Sequence, residues 1–242
     1  MLFLLIGCIT PFKKISADFQ NPAEYDILLV TAMVDTQRVI STTPITKPSI
    51  GEAIVAGIIE GVEAARLYPI LDEFSADSTA QLQNIWMKEG FQIRTDSELV
   101  QRDISEKRRE FYREINHLEG LWYHPEGTGY LRIDNYSFSS QKMRARWISD
   151  FNHPKEKEAF LFSTISVQEV QTGLFSKAPM IIVDTVIVGE EGEYLYQARG
   201  IGYGYPSRFA IDYRKESLNH GFREALDSLT EVEIEIMKPK KK

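Results

Sequence analysis

The chain has 242 residues, enough for one large domain or two small ones, and its 43% hydrophobic and 26% charged content is ordinary for a globular protein. A net charge of −7 with a pI near 5.3 lacks the basic footprint of a general nucleic-acid binder, so nucleic acid is not an expected partner. A single cysteine excludes an internal disulfide and a cysteine-based zinc site, and no run approaches the roughly 18–20 apolar residues of a membrane-spanning helix.

The chain begins with an apolar run, Leu2 to Ile6, that ends in Gly7 and the lone Cys8. Leu5-Ile6-Gly7-Cys8 resembles the lipobox of bacterial lipoproteins, whose cysteine becomes the first mature residue. The resemblance implies a cleaved signal peptide and acyl chains, palmitate among them, on Cys8. One acyl chain holds a protein at a membrane only marginally, and such lipoproteins carry more than one. Ile9, where an Asp would imply otherwise, points to the outer membrane with the body facing the periplasm. The residues before Cys8 are short for a secretory leader and contain no Lys or Arg, so the expected start lies upstream or the leader has been trimmed. The competing reading makes Leu2–Ile6 an apolar first strand or a frayed terminus and Cys8 an ordinary small hydrophobe, in a cytoplasmic protein.

Residues 9–24, with Pro11 and Pro22, read as a tether between anchor and body. Residues 25–34 are a nearly continuous apolar, β-rich run that suits a strand covered on both faces. Residues 41–50 hold Pro44 and Pro48 and read as a loop. In 51–67, Gly51, Ala53, Ala56, Gly57, Gly61, Ala64 and Ala65 alternate with branched apolar residues. That pattern suits a helix packed closely on protein, either in the core or at a contact with a second copy of the chain. Asp77 or Ser78 caps a helix that runs to about Glu89, with Leu82, Ile85 and Trp86 on its apolar face and Gly90 as its stop. Residues 91–95 then form a short strand, and strand, helix, strand in sequence predicts a parallel pair. Residues 98–118 form a charged amphipathic helix.

From Leu121 the hydrophobic period changes to two. Strands are expected at 129–138, 142–149, 159–170, 180–188 and 194–203, with Ser139-Ser140 and residues 189–193 as hairpin turns. A helix over 215–229 carries Leu218, Phe222, Leu226 and Leu229 at helical spacing. Val232, Ile234 and Ile236 alternate with Glu231, Glu233 and Glu235, the pattern of a half-buried strand. Lys238-Pro239-Lys240-Lys241-Lys242 is a basic tail that could touch anionic lipid or another polyanion, although such charge runs more often stay solvated. The fold class is α+β: a mixed sheet with a strand-helix-strand start, an antiparallel β second half and a closing C-terminal helix. A single domain spans 25–237, with an insertion near 97–158.

Two stretches carry a family resemblance. One is 25–34 with the 77–89 helix, Gly90 and the 91–95 strand. The other is 181–188, the segment 192–200 and the 215–229 helix. Together they resemble small envelope lipoproteins with a curli-secretion-lipoprotein-like domain, related in shape to the amino-terminal domain of the Tol-system propeller protein. The resemblance covers about half of the chain. It implies an α/β envelope domain without implying a secretion pore, because no pore-lining hairpin signature occurs. Gly120-Leu121-Trp122 separately resembles the opening Gly-x-Trp of lipocalins, which implies a carrier of an apolar ligand lined by Trp122, Tyr130 and Trp147. The region that follows is short for the eight strands of such a barrel.

Catalytic signals are sparse. His124-Pro125-Glu126 and the 150–153 segment ending in His153 are the local candidates for metal or hydrolytic chemistry, and they define a hydrolase or metal enzyme built on the 120–155 loops as an alternative. His220 stands in the last helix with no partner visible. Gly202-Tyr203-Gly204-Tyr205-Pro206 reads as a strand end, and Tyr203, Tyr205 and Trp122 are candidates for a binding surface. Glu190, Glu191 and Glu193 read as solvated turn residues. No catalytic residue, metal ligand or cofactor is assigned. The expected function is that of a non-enzymatic, membrane-anchored envelope lipoprotein that assembles or binds another envelope component, with Cys8 as the lipid attachment site.

Overall fold

The computed structural model describes residues 10–35, 70, 73–74, 77–78, 80–94, 122–123, 140–149, 157–173, 176–208 and 214–237. Its strands are β1 (Phe12–Ser16), β2 (Asp26–Asp35), β3 (Ile93–Arg94), β4 (Trp122–Tyr123), β5 (Glu158–Gln171), β6 (Ser176–Gly189), β7 (Tyr194–Tyr203), β8 (Ser207–Arg208) and β9 (Ile234–Met237). The helices are α1 (80–88), α2 (Gln141–Ser149) and α3 (Lys215–Glu231). The strands form one mixed sheet in the order β3-β2-β5-β6-β7-β1-β9, with β4 on the end of β2 and β8 on the start of β6. This is the expected α+β class. The strand-helix-strand start holds as well: β3 lies parallel to β2, Ile27 opposite Ile93.

The centre of the sheet is β5, β6 and β7, joined antiparallel in long register. β6 is rich in Ile and Val and is buried along both faces, which explains its unbroken apolar run. On one face Leu161, Ile181, Val183 and Ala198 meet Leu82 and Trp86 of α1 and Leu218, Phe222 and Leu226 of α3. On the other, Leu28, Phe160, Phe162, Val186 and Val188 meet Ile148 of α2. Lys157, at φ 62°, immediately precedes β5, and Gly90, at φ 88°, ends the helix before β3 as expected of a glycine stop.

α3 rides unusually close to β7. A Cβ added at Gly200 would stand 2.1 Å from Ala225 O, and one at Gly202 would stand 2.1 Å from Gly221 O. Glycines at 200, 202 and 221 therefore set the distance between helix and strand.

Several expectations are corrected. Residues 12–19 are not a tether: β1 inserts between β7 and β9, antiparallel to one and parallel to the other, and Phe19 is fully buried. The 142–149 strand is the helix α2, and the expected Ser139-Ser140 turn gives way to Ser140 accepting from Arg144 N at 3.1 Å at the helix start. The side chain that decides this is Arg144, only 3% exposed, whose Nε donates to Gly192 O at 2.6 Å while its guanidinium lies 3.7 Å from the Tyr194 ring centre. Gly192, at φ 76°, leaves no room for a side chain against Ala145 and Gln141 of α2. The strand β9 forms, but Ile234 and Ile236 are 56% and 55% exposed, so it is an edge strand and not half-buried. The expected insertion near 97–158 is described only in part, and there β4 pairs with β2 and α2 covers the sheet, which leaves the insertion reading as it stood. The 51–67 segment, the 98–118 helix, the 129–138 strand and the 238–242 tail lie outside the described residues.

Candidate functional site

Two of the candidate residues, Tyr203 and Tyr205, come together at the end of β7, and the reason is local. β1 pairs with β7 only as far as Phe12 opposite Arg199. Beyond that point the outward amides of β7 lack a strand partner, and a backbone N–H without one is costly. Three side chains of α3 take them: Ile201 N donates to Ser228 Oγ at 2.9 Å, Tyr203 N to Glu224 Oε2 at 2.9 Å, and Tyr205 N to Ser217 Oγ at 2.8 Å. On the other edge Gly204 N donates to Pro179 O at 2.8 Å. The segment 201–205 is thus fixed from both sides.

What it presents is aromatic. Tyr203 is 43% exposed and Tyr205 44% exposed. The Tyr205 ring stacks on His220 at 4.6 Å with 16° between planes, and His220 Nε2 stands 3.4 Å from Glu224 Oε1. His220, expected to be alone, is therefore a member of this ledge. Sequence reasoning missed His220 and Glu224, although Ser217, Gly221, Glu224 and Ser228 recur at helical spacing and mark one face of α3 beside its apolar stripe.

The other candidates are elsewhere. Trp122 lies on β4, opposite Asp35 at the far edge of β2. Four strand spacings, on the order of 19 Å, separate it from β7. Cys8, His124, Tyr130 and His153 lie outside the described residues. Among the described residues no group of three or more His, Cys, Asp and Glu side chains stands close enough to hold a metal ion.

A second feature is a groove of about 390 Å³ between α1 and α3, lined by Ile85, Lys88, Glu89, Arg223, Leu226 and Asp227 among others. Glu89 anchors its end, accepting from Lys13 Nζ at 2.5 Å and from the Tyr196 hydroxyl at 3.3 Å. Burial, reinforced by the Glu89 carboxylate, holds the Tyr196 phenol well above its ordinary pKa, so it stays protonated and donates. This cluster ties β1 and β7 to the end of α1.

At the opposite end of the β6–β7 hairpin, Glu193 departs from the expected solvated turn. Its Oε2 is buried without a hydrogen-bond partner, and burial, with Glu191 and Glu190 nearby, raises its pKa. An aromatic ledge thus stands at one end of the hairpin and a carboxylate-rich turn at the other. Comparison with protein-family models, with curated proteins and with solved structures found no match.

Proposed function

We propose that this chain is a non-enzymatic envelope lipoprotein, anchored in the outer membrane by acylated Cys8 and facing the periplasm, where it binds or assembles another envelope component. The observation that carries the reading is the place where the sheet begins. Thr10 and Pro11 are exposed, and Phe12 already pairs with Arg199. Cys8 is therefore four residues from the folded body, a reach of about 14 Å at most when extended. An acyl group there would hold the domain directly against the bilayer, with its β7 end nearest the lipid. The resemblance of 25–34, 77–95, 181–188, 192–200 and 215–229 to curli-secretion-like envelope domains supports the same setting.

The test is cell fractionation with intact-mass analysis of the protein expressed from its native reading frame. The expected result is a mature chain beginning at an acylated Cys8 in the membrane fraction, and Cys8→Ala shifting to the soluble fraction. An unmodified chain, or unchanged fractionation of Cys8→Ala, refutes the anchor.

A further inference from the structure

We infer that the Tyr203–Tyr205 ledge is a lipid-contact face, which seats the anchored domain on the bilayer surface in one orientation. The inference rests on the anchor reading above and adds a second membrane contact to it.

Two observations converge. The first is position. β7 runs antiparallel to β1, so from the Phe12–Arg199 pair it continues through Tyr203 in the direction from which the chain upstream of Phe12 arrives. Arg199 to Tyr203 is four residues, and Phe12 back to Cys8 is four residues. The ledge and the attachment cysteine are thus within the same span of chain from one ladder pair.

The second is chemistry. Exposed tyrosines combine an apolar ring with a polar hydroxyl, the composition that favours the boundary between headgroups and acyl chains. Both are held rigid: their amides are bonded to α3, and the Tyr205 ring is braced by His220. Exposed Pro206 continues the same surface.

The test uses the lone cysteine chemically. The full chain is coupled through the Cys8 thiol to maleimide-bearing lipid, in vesicles of phosphatidylcholine. Hydroxyl-radical footprinting read by mass spectrometry then compares coupled with free protein. Oxidation of Tyr203 and Tyr205 is expected to fall several-fold, while Met87, 55% exposed on α1, keeps its reactivity. Unchanged tyrosine oxidation overturns the inference and leaves the ledge open to a protein partner. An equal loss at Met87 also overturns it, since protection would then have no orientation. The coupling does not depend on acylation in the cell, so a failed anchor is seen separately, as an unmodified Cys8 by intact mass.

Discussion

Gly202→Ala tests the packing that places the ledge. The added methyl would stand 2.1 Å from Gly221 O and 2.4 Å from Ala225 N, both backbone atoms of α3 that no rotamer change can move. Real Cβ atoms essentially never come within 3.0 Å of such atoms, so α3 must retreat by close to 1 Å. A gap of that size forfeits about a quarter to a half of each dispersion contact across it. The contacts at stake are those of Leu218, Phe222, Ala225, Leu226 and Leu229, all buried against the sheet. Overpacking costs typically 1–3 kcal/mol, and an obstruction made of backbone belongs at the top of that range, about 3 kcal/mol. For a chain of this length the melting temperature should then fall by roughly 6–12 °C. Urea unfolding followed by far-ultraviolet circular dichroism measures the loss as a lower midpoint at constant slope. Gly173→Ala is the control, because its methyl meets only the rotatable Ser176 side chain and should stay within about 0.5 kcal/mol of the parent. A Gly202→Ala protein as stable as that control would refute the close seating of α3 on β7.

Phe222→Ala, at a fully buried ring that meets Phe74 edge-on at 5.8 Å, should cost about 3–5 kcal/mol in the same urea assay. Arg144→Met strands Gly192 O and removes the guanidinium from Tyr194. A loss of about 2 kcal/mol is expected, and Arg144→Lys should not restore it, because Lys lacks the flat group that stacks. Glu193 gives a pH signature. Burial raises its folded pKa above the unfolded value of 4.5, so the stability it permits is fully present below that value and is lost as pH rises through the folded pKa. The melting temperature of Glu193→Gln should therefore gain on the parent's from pH 3 to pH 7, whereas a gap independent of pH would contradict the burial of Glu193 (on the order of one titration crossed).

The long elements were legible in the chain itself. Residues 159–170, 180–188 and 194–203 carry enough β-branched and aromatic residues, separated by connections that contain Gly, for each strand to be read without its neighbours. The last helix was equally plain, since Leu218, Phe222, Leu226 and Leu229 need only helical spacing to form one face. The exposed Tyr203 and Tyr205 were picked out by composition, because a Gly-Tyr-Gly-Tyr-Pro run ends a strand and leaves its rings without a core.

What tertiary structure decided were the short segments whose charges find partners far away in sequence. Phe12 to Ser16 contains two lysines and looks solvated, yet it is an inner strand, because Glu89, 76 residues on, takes the charge of Lys13. Residues 142–149 alternate like a strand. They fold as a helix because Arg144 is buried on the Gly192 carbonyl and the Tyr194 ring, both contributed by a distant hairpin. His220 acquires its role in the same way, from a tyrosine ring that only the strand order brings alongside it. Local pattern fixes an element when the element buries its own apolar face. It fails where burial depends on a polar partner, because the identity of that partner is set by the sheet order and not by the segment.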